Sequence, residues 1–168
     1  MNIKLENRTV YHVAVFWNKT QDEEIRRLFP VSNQSLEEAL RLFEESLARE
    51  ARSYGKIILF EGKYIGDIWC YCIDEKVEKM AMFSILIFEK EFWGRGIASE
   101  ATKAFIEEVF NKFDINKIGA FTYCTNYSSM ALLKKNGFKE IEKFIEDGIE
   151  STYFEVEKYN SPMLNQIL

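Results

Sequence analysis

The stretch that decides how this chain folds is Glu91-Phe92-Trp93-Gly94-Arg95-Gly96-Ile97-Ala98-Ser99-Glu100-Ala101. It follows a nearly continuous apolar run, Met80–Phe88, which predicts a central strand covered on both faces. It leads into residues 95–112, where apolar side chains recur at the spacing of an amphipathic helix. The sequence therefore predicts a buried strand, a glycine-rich turn and a long helix in immediate succession.

The chemistry of this turn points to an anion. The first N–H groups of a helix have no partner within it, and the helix dipole lies behind them, so a helix that starts at a glycine-rich turn binds phosphate. Gly94 and Gly96 allow backbone angles and a close approach that a β-carbon would forbid. Ala98 keeps the first helical turn small, and Arg95 adds positive charge at the rim. A tight turn that only starts the helix is the alternative.

A dinucleotide-binding Rossmann turn shares this order of strand, turn and helix. It needs an acidic residue about 20 positions further on, at the end of the next strand. The predicted strand there ends in Phe121-Thr122-Tyr123-Cys124, which carries no carboxylate, and Ser99 stands in the place of the third glycine. The sequence therefore disfavours a dinucleotide site.

Other patterns place the turn in a single domain of mixed α/β class. With 168 residues the chain has the length of one ordinary domain, and no repeat or linker divides it. Ser35 and Glu38 form a capping box that starts a helix predicted over 35–52. The remaining predicted elements are strands over 2–6, 57–60, 64–72, 115–124, 138–145 and 151–156, and helices over 9–17, 21–28 and 127–136. We expect one domain over 1–168, with a mixed, mostly antiparallel sheet of about seven strands and flanking helices.

Composition disfavours several kinds of function. A net charge of −5 argues against nucleic acid as a partner and favours cationic ligands. One histidine, His12, and no CxxC pair argue against a metal site. The three cysteines have no disulfide spacing, which indicates a reducing compartment. The sequence has no signal-peptide core and no apolar run of the roughly 20 residues that a membrane helix needs. We therefore expect a cytoplasmic protein without a metal or a membrane partner.

Two spaced motifs resemble those of one enzyme family. Trp93–Ala98 resembles the Q/R-x-x-G-x-G/A motif with which the GNAT superfamily of acyltransferases binds the pyrophosphate of coenzyme A, with Trp93 in the Q/R place. Asn126–Ser129 and Lys134–Phe138 resemble the second family motif, N-x-x-S followed by (K)-x-G-F. The aromatic-Trp-Gly-basic-Gly form is typical of the branch that resembles ribosomal-protein N-terminal acetyltransferases. The resemblance extends over essentially the whole chain.

The resemblance implies an N-acetyltransferase that uses acetyl-coenzyme A as co-substrate and needs no metal. It implies that the backbone of the glycine turn grips the pyrophosphate, that the end of the central strand bonds the pantetheine arm, and that Asn126 bonds the pantetheine amide region. The residues so implied are Leu86, Ile87, Phe88, Gly94, Arg95, Gly96, Ile97, Ala98, Ser99 and Asn126. The acetyl group is then expected to pass directly to an amine bound beside it.

The catalytic groups of the family are matched only in part. Many relatives carry a tyrosine seven residues after the motif asparagine, where Leu133 stands, so the resemblance points to Ser129 as the candidate acid. A glutamate of the branch falls where Phe83 stands, so Glu78 is the candidate base. These departures leave two alternatives open, a non-catalytic coenzyme-A-binding regulatory module and a transferase of a longer acyl group.

The predicted closing hairpin is strongly acidic. In the family the resemblance points to, this hairpin borders the acceptor cleft, and its carboxylates here are Glu140, Glu142, Glu146, Asp147 and Glu150. We therefore expect the acceptor to be a small cationic amine or a peptide or protein N-terminus, with a merely solvated hairpin as the alternative. Because family members are often dimers, a homodimer is a further expectation.

Overall fold

The computed structural model describes residues 1–30 and 33–158 as helices and strands around one sheet. The elements are β1 (Ile3–Asn7), α1 (Val10–Lys19), α2 (Glu23–Leu28), α3 (Leu36–Ser46), β2 (Tyr54–Phe60), β3 (Lys63–Asp74), β4 (Met80–Ile87), a short 3-10 turn (Lys90–Phe92), α4 (Ile97–Lys112), β5 (Lys117–Tyr123), α5 (Tyr127–Lys135), β6 (Lys139–Glu146) and β7 (Ile149–Glu157). The domain predicted over 1–168 includes residues 31, 32 and 159–168, which lie outside the described residues.

The seven strands are ordered β1-β2-β3-β4-β5-β7-β6. Every neighbouring pair is antiparallel except β4 and β5. These two run parallel because α4 carries the chain from the end of one strand back to the start of the other. The predicted fold class, a mixed and mostly antiparallel sheet of about seven strands with flanking helices, is confirmed.

The two parallel strands separate along their length. β4 and β5 pair only from Met80 opposite Lys117 to Met82 opposite Gly119. Beyond that rung, Phe83–Ile87 of β4 has no partner in β5. We call the resulting opening the β4–β5 gap, and the Met82–Gly119 rung its closed end. From this rung β4 continues towards the glycine-rich turn, so the open end of the gap lies on the side of that turn.

Side chains of the sheet alternate between two faces, and different helices cover each face. On the α4 face, which carries α4 and α5, the core contains Phe83 and Phe154 together with Phe105 of α4. On the α1 face, Leu86 packs with Ile25 of α2. Burying one such side chain contributes roughly 1.5–3 kcal/mol to folding. Because β4 is covered on both faces, it is apolar almost throughout, as its sequence predicts.

The helices differ by one or more residues from their predicted bounds, and for two of them the structure shows the reason. α4 starts at Ile97 rather than at 95, because Gly96 adopts φ +79° and lies outside right-handed helical geometry. α3 ends at Ser46 rather than at 52. The Leu47 N–H bonds the carbonyl of Glu44, three residues back, which tightens the last turn. No residue of α3 is buried, so packing does not extend this helix further.

Candidate active site

The glycine-rich turn leaves backbone donors free at the start of α4. The first helical hydrogen bond runs from the N–H of Glu100 to the carbonyl of Gly96, over 3.2 Å. The N–H groups of Ile97, Ala98 and Ser99 therefore have no partner within the helix. Gly96 is the N-cap and has no side chain with which to cover them. A β-carbon at Gly94 would meet nothing within 4 Å, so the turn is open to a ligand. This arrangement fits a pyrophosphate.

Two side chains of the turn hold it against the sheet. The indole Nε1 of Trp93 donates to the carbonyl of Ile87 at the end of β4, over 2.8 Å. The exposed Arg95 guanidinium lies over the rings of Phe60 and Phe92, at 5.5 and 5.3 Å from their centroids. These contacts present the cation beside the helix N-terminus. The anchoring role of the Trp93 indole was not predicted, because no local pattern shows which strand it reaches.

Backbone groups of β4 point alternately towards β3 and into the β4–β5 gap. The Phe88 N–H donates to the carbonyl of Ile65 in β3, over 3.0 Å. Because the direction alternates along a strand, Leu86 also faces β3, whereas Ile85 and Ile87 face the gap. Of the three residues predicted to bond pantetheine, Ile87 thus has its backbone directed into the gap. Ile85 was missed, although the same alternation identifies it once one hydrogen bond is known.

Asn126 caps α5 and also connects it to α2. Its Oδ1 accepts a hydrogen bond from the N–H of Ser129 over 3.1 Å, and its Nδ2 donates to the carbonyl of Leu28 over 3.0 Å. Asn126 is therefore the N-cap of α5. A pantetheine contact would use its remaining N–H or lone pair and stays a prediction. Ser129 lies half-buried in the first turn of α5.

The structure does not bring the second predicted catalytic residue into the gap. Glu78 is exposed in the loop between β3 and β4, where its N–H donates to Asp74 over 3.3 Å. That loop precedes Met80, whereas the gap opens only after Met82. The candidate base therefore lies beyond the closed end of the gap, on the side away from the glycine-rich turn.

The residues that stand in place of the family's catalytic groups are part of the core. Phe83 and Leu133 are each 3% exposed and pack together in the cluster on the α4 face. Phe83 also packs against Phe105 and Phe138, with ring centroids 6.3 and 5.9 Å apart. Neither side chain has a group that could transfer a proton, so both serve packing.

A polar network that the sequence interpretation missed lies at the closed end of the gap. The hydroxyl of Tyr153 and the ammonium of Lys117 both donate to Oε1 of Glu155, each over 2.9 Å. Burial raises the pKa of Tyr153, and its bond to Glu155 adds to this effect. Burial opposes ionisation of Glu155, but the bonds from Lys117 and Tyr153 outweigh it and lower its pKa. At neutral pH Tyr153 is therefore a neutral phenol and Glu155 is ionised.

The acidic hairpin is divided between the two faces of the sheet. Glu140 forms an ion pair with Lys134 of α5, over 3.2 Å, and stands opposite the buried Phe154. Glu142 stands opposite Tyr153, on the α1 face. The hairpin does therefore not present one continuous acidic surface, because neighbouring strand residues alternate in direction.

Within residues 1–30 and 33–158, no three His, Cys, Asp or Glu side chains are grouped so that they could hold a metal ion. Over the same ranges, no helix has the length and apolar character needed to cross a membrane.

Comparisons with known proteins agree with this geometry. The sequence model of the family described as acetyltransferase (GNAT) domain matches residues 3–139. No curated protein matches. Among solved structures, spermidine N-acetyltransferase from Vibrio cholerae, in complex with CoA and spermine, has a TM-score of 0.84 at 16% identity, covering 94% of this chain and 96% of its own. Aminoglycoside acetyltransferase AAC(6')-Ib, in complex with coenzyme A, has a TM-score of 0.79 at 15% identity, covering 95% of this chain and 96% of its own. RimJ of Mycobacterium smegmatis, in complex with CoA-disulfide, has a TM-score of 0.81 at 16% identity, covering 96% of this chain and 84% of its own.

Proposed function

This chain belongs to the GNAT acetyltransferase domain family and is an acyltransferase, and from this premise we propose that it transfers the acetyl group of acetyl-coenzyme A directly to a primary amine. The acceptor is a small cationic molecule or a peptide or protein N-terminus. The observation that carries the proposal is the β4–β5 gap, which leads from a phosphate-binding turn to a closed end lined by polar side chains.

The donor site consists of the turn and the edge of β4. The free N–H groups of Ile97, Ala98 and Ser99 would hold the pyrophosphate, with Arg95 beside them. The predicted cofactor-binding set also includes Gly94, Gly96, Leu86, Ile87, Phe88 and Asn126. Of the strand residues, Ile87, together with Ile85, directs its backbone into the gap. The motif and the free donors support this assignment independently of each other.

Acetyl-coenzyme A supplies the acetyl group as an activated thioester. The backbone N–H groups of Ile85 and Ile87 provide donors in the gap for a carbonyl oxygen that gains negative charge. The gap holds both substrates side by side, so proximity provides much of the rate enhancement. The neutral amine forms the new C–N bond and loses a proton to water as the C–S bond breaks. Ser129, in the first turn of α5, remains our candidate for donating a proton to the departing sulfur, and it regains that proton from water.

The surroundings of the gap favour a cationic acceptor. The α1 face carries Glu155 and Glu142 beside the rings of Tyr153, Phe121 and Phe144. Carboxylates and aromatic faces both attract ammonium groups. Two proteins of similar fold, a spermidine N-acetyltransferase in complex with spermine and an aminoglycoside acetyltransferase in complex with kanamycin, bind small molecules of this class. The homodimer and the cytoplasmic location stay predictions.

The test is release of free coenzyme A thiol from acetyl-coenzyme A in the presence of spermidine, kanamycin, free amino acids and peptides with free N-termini. Turnover with one class supports the proposal and identifies the acceptor chemistry. Calorimetric titration with acetyl-coenzyme A establishes donor binding separately. If the enzyme binds the donor and no amine in the panel releases the thiol, the direct transfer proposed here is contradicted for these classes.

A second candidate function is a regulatory module that binds coenzyme A without catalysis. It is favoured by the buried Phe83 and Leu133, which occupy the places of catalytic groups. The same assay distinguishes the two, because a regulatory module binds the donor and releases no thiol with any amine. Substituting succinyl-coenzyme A for acetyl-coenzyme A tests the alternative that the chain transfers a longer acyl group.

A further inference from the structure

The network of Lys117, Tyr153 and Glu155 occupies a specific place relative to the two separated strands. Glu155 of β7 stands opposite Gly119 of β5, and Gly119 stands opposite Met82 of β4. These three residues form one row across the sheet. That row is the last paired rung of β4 and β5, so Glu155 lies level with the closed end of the gap.

The hydroxyl of Tyr153 reaches back across β5 to the same rung. A β-carbon built on Gly119 would lie 2.5 Å from Tyr153 Oη and 3.0 Å from Met82 Sδ. The phenol and the thioether therefore both lie directly over the bare backbone of Gly119. Only a glycine leaves room for this approach, so the phenol is held at the closed end by packing as well as by its bond to Glu155.

The carboxylate of Glu155 is held on one oxygen and leaves the other available. Both of its hydrogen bonds, from Tyr153 and from Lys117, end on Oε1. Its side chain is 21% exposed, and among the described residues no hydrogen bond or ion pair is formed with Oε2. Two donors on one oxygen orient the carboxylate and keep it ionised while a lone pair remains for a further donor.

Glu155 itself stands between Gly119 of β5 and Lys139 of β6, and aromatic side chains lie one step along the same face. Phe121 and Phe144 lie on the same face with ring centroids 6.2 Å apart, and Phe121 is 37% exposed. Tyr153 stands between Phe121 and Glu142 in the register of the three strands. Aromatic faces beside an oriented carboxylate bind a cation more tightly than either does alone.

We propose that Glu155 is the positioning residue for the acceptor, receiving the ammonium group of the amine on Oε2 at the closed end of the gap. This inference rests on the proposed function, and it identifies which carboxylate of the acidic chain selects the substrate. Lys117 has the opposite effect, because its positive charge at Oε1 reduces the attraction for an incoming cation. Tyr153 orients the carboxylate.

The experiment measures binding of two probes, spermidine and the tripeptide Ser-Ala-Ala with a free N-terminus, by calorimetry on the enzyme saturated with coenzyme A. Glu155→Gln is expected to weaken binding of the preferred probe roughly tenfold or more, because an ionic hydrogen bond is lost. Lys117→Gln retains a hydrogen-bond donor without the charge, and it is expected to tighten binding about threefold. Glu140→Gln is the matched control: it removes one negative charge from the same hairpin on the opposite face of the sheet, and should leave binding within about twofold.

Opposite effects of Glu155→Gln and Lys117→Gln distinguish positioning from a structural role, since both changes remove a charge from the same network and a structural role would weaken binding in both. Affinity for coenzyme A and the thermal midpoint are measured on each variant, and Lys117→Gln alone carries the test if Glu155→Gln does not fold. Binding that is absent in the unmodified enzyme, or unchanged in Glu155→Gln, overturns the inference. Acetyl-coenzyme A binding and thiol release report separately on the proposed function, so its failure is distinguishable from failure of the inference.

Discussion

The side-chain amide of Asn136 donates a buried hydrogen bond to the hydroxyl of Ser99, over 3.2 Å. Asn136 caps the end of α5, and Ser99 lies in the first turn of α4, so this contact joins the two sequence motifs. The same Nδ2 donates to the carbonyl of Leu132 over 2.9 Å. Because the Ser99 side chain is engaged in this way, the backbone N–H of Ser99 is the group that we expect to bind the phosphate.

Replacing Asn136 by alanine should lower both stability and donor affinity. The change removes two hydrogen bonds in a buried position, which lowers the free energy of unfolding by about 1–3 kcal/mol. It also frees the first turn of α4, so acetyl-coenzyme A should bind several-fold more weakly. Urea denaturation and calorimetric titration measure the two effects. Asn111→Ala, at an exposed position of α4, is the control. Equal donor affinity in the Asn136 variant and the control would contradict the role of this contact.

Two glycines with the same backbone geometry should respond differently to alanine. Gly96 has φ +79° at the start of α4, and Gly62 has φ +83° in the turn between β2 and β3. Either substitution imposes a left-handed conformation on a residue with a β-carbon, which costs about 1–2 kcal/mol of stability. We expect only Gly96→Ala to weaken acetyl-coenzyme A binding, and Gly96→Glu to abolish it by adding negative charge at the anion site. Calorimetry on the folded variants checks this, and retained donor affinity in Gly96→Glu would refute the phosphate assignment.

The buried carboxyl of Asp67 should make stability depend on pH. Burial raises the pKa of Asp67 to about 6, although Arg8, 2.8 Å away, and a bond from Tyr64, over 2.6 Å, both lower it. Because the folded state then holds a proton that the unfolded state loses near pH 4, stability falls as pH rises from about 4 to 6 and is level above that. A shift of about two pKa units corresponds to roughly 3 kcal/mol.

Asp67→Asn tests this dependence, since an amide does not titrate. The difference in unfolding free energy between the variant and the parent should change across pH 4 to 6 by up to about 3 kcal/mol, in favour of the variant at the higher pH. For Asp74→Asn, the difference in unfolding free energy between the variant and the parent should change with pH in the opposite direction. Backbone N–H groups of Lys76 and Val77 lower the pKa of Asp74, so the parent's advantage over this variant is lost as pH falls. Parallel denaturation curves for Asp67→Asn and the parent at all pH values would contradict the assignment.

A methyl group at Gly119 should disturb the acceptor side of the gap. The added β-carbon would overlap Tyr153 Oη, so the phenol must move and stability should fall by about 1–3 kcal/mol. The movement also turns Glu155, so the amine probe should bind more weakly while coenzyme A binds as before. Combining Gly119→Ala with Tyr153→Phe removes the closest atom and should recover part of the stability. A double variant no more stable than Gly119→Ala would show that the overlap is not with the phenol oxygen.

The elements were predicted well where the signal is local. The capping box at Ser35 and Glu38 starts α3 as expected, with both of its hydrogen bonds present. The end of α3 was predicted too late, because apolar spacing continues past Ser46 while packing does not. The candidate base illustrates a larger difference. Glu78 was selected for its position along the chain, whereas the strand register places Glu155 level with the closed end of the gap.

Sequence alone determined the glycine-rich turn, the family, the order of strands and helices, and the helix start at which we predict an anion site. Each of these follows from interactions between residues close together in the chain, where helical spacing, caps and glycine geometry act. Tertiary structure decided where β4 and β5 separate and which side chains meet there. Lys117, Tyr153 and Glu155 come from two strands, and the two-residue period shows only that Tyr153 and Glu155 share a face. The register that brings Glu155 level with Gly119 and Met82 depends on burial across the whole sheet, and no local pattern contains it.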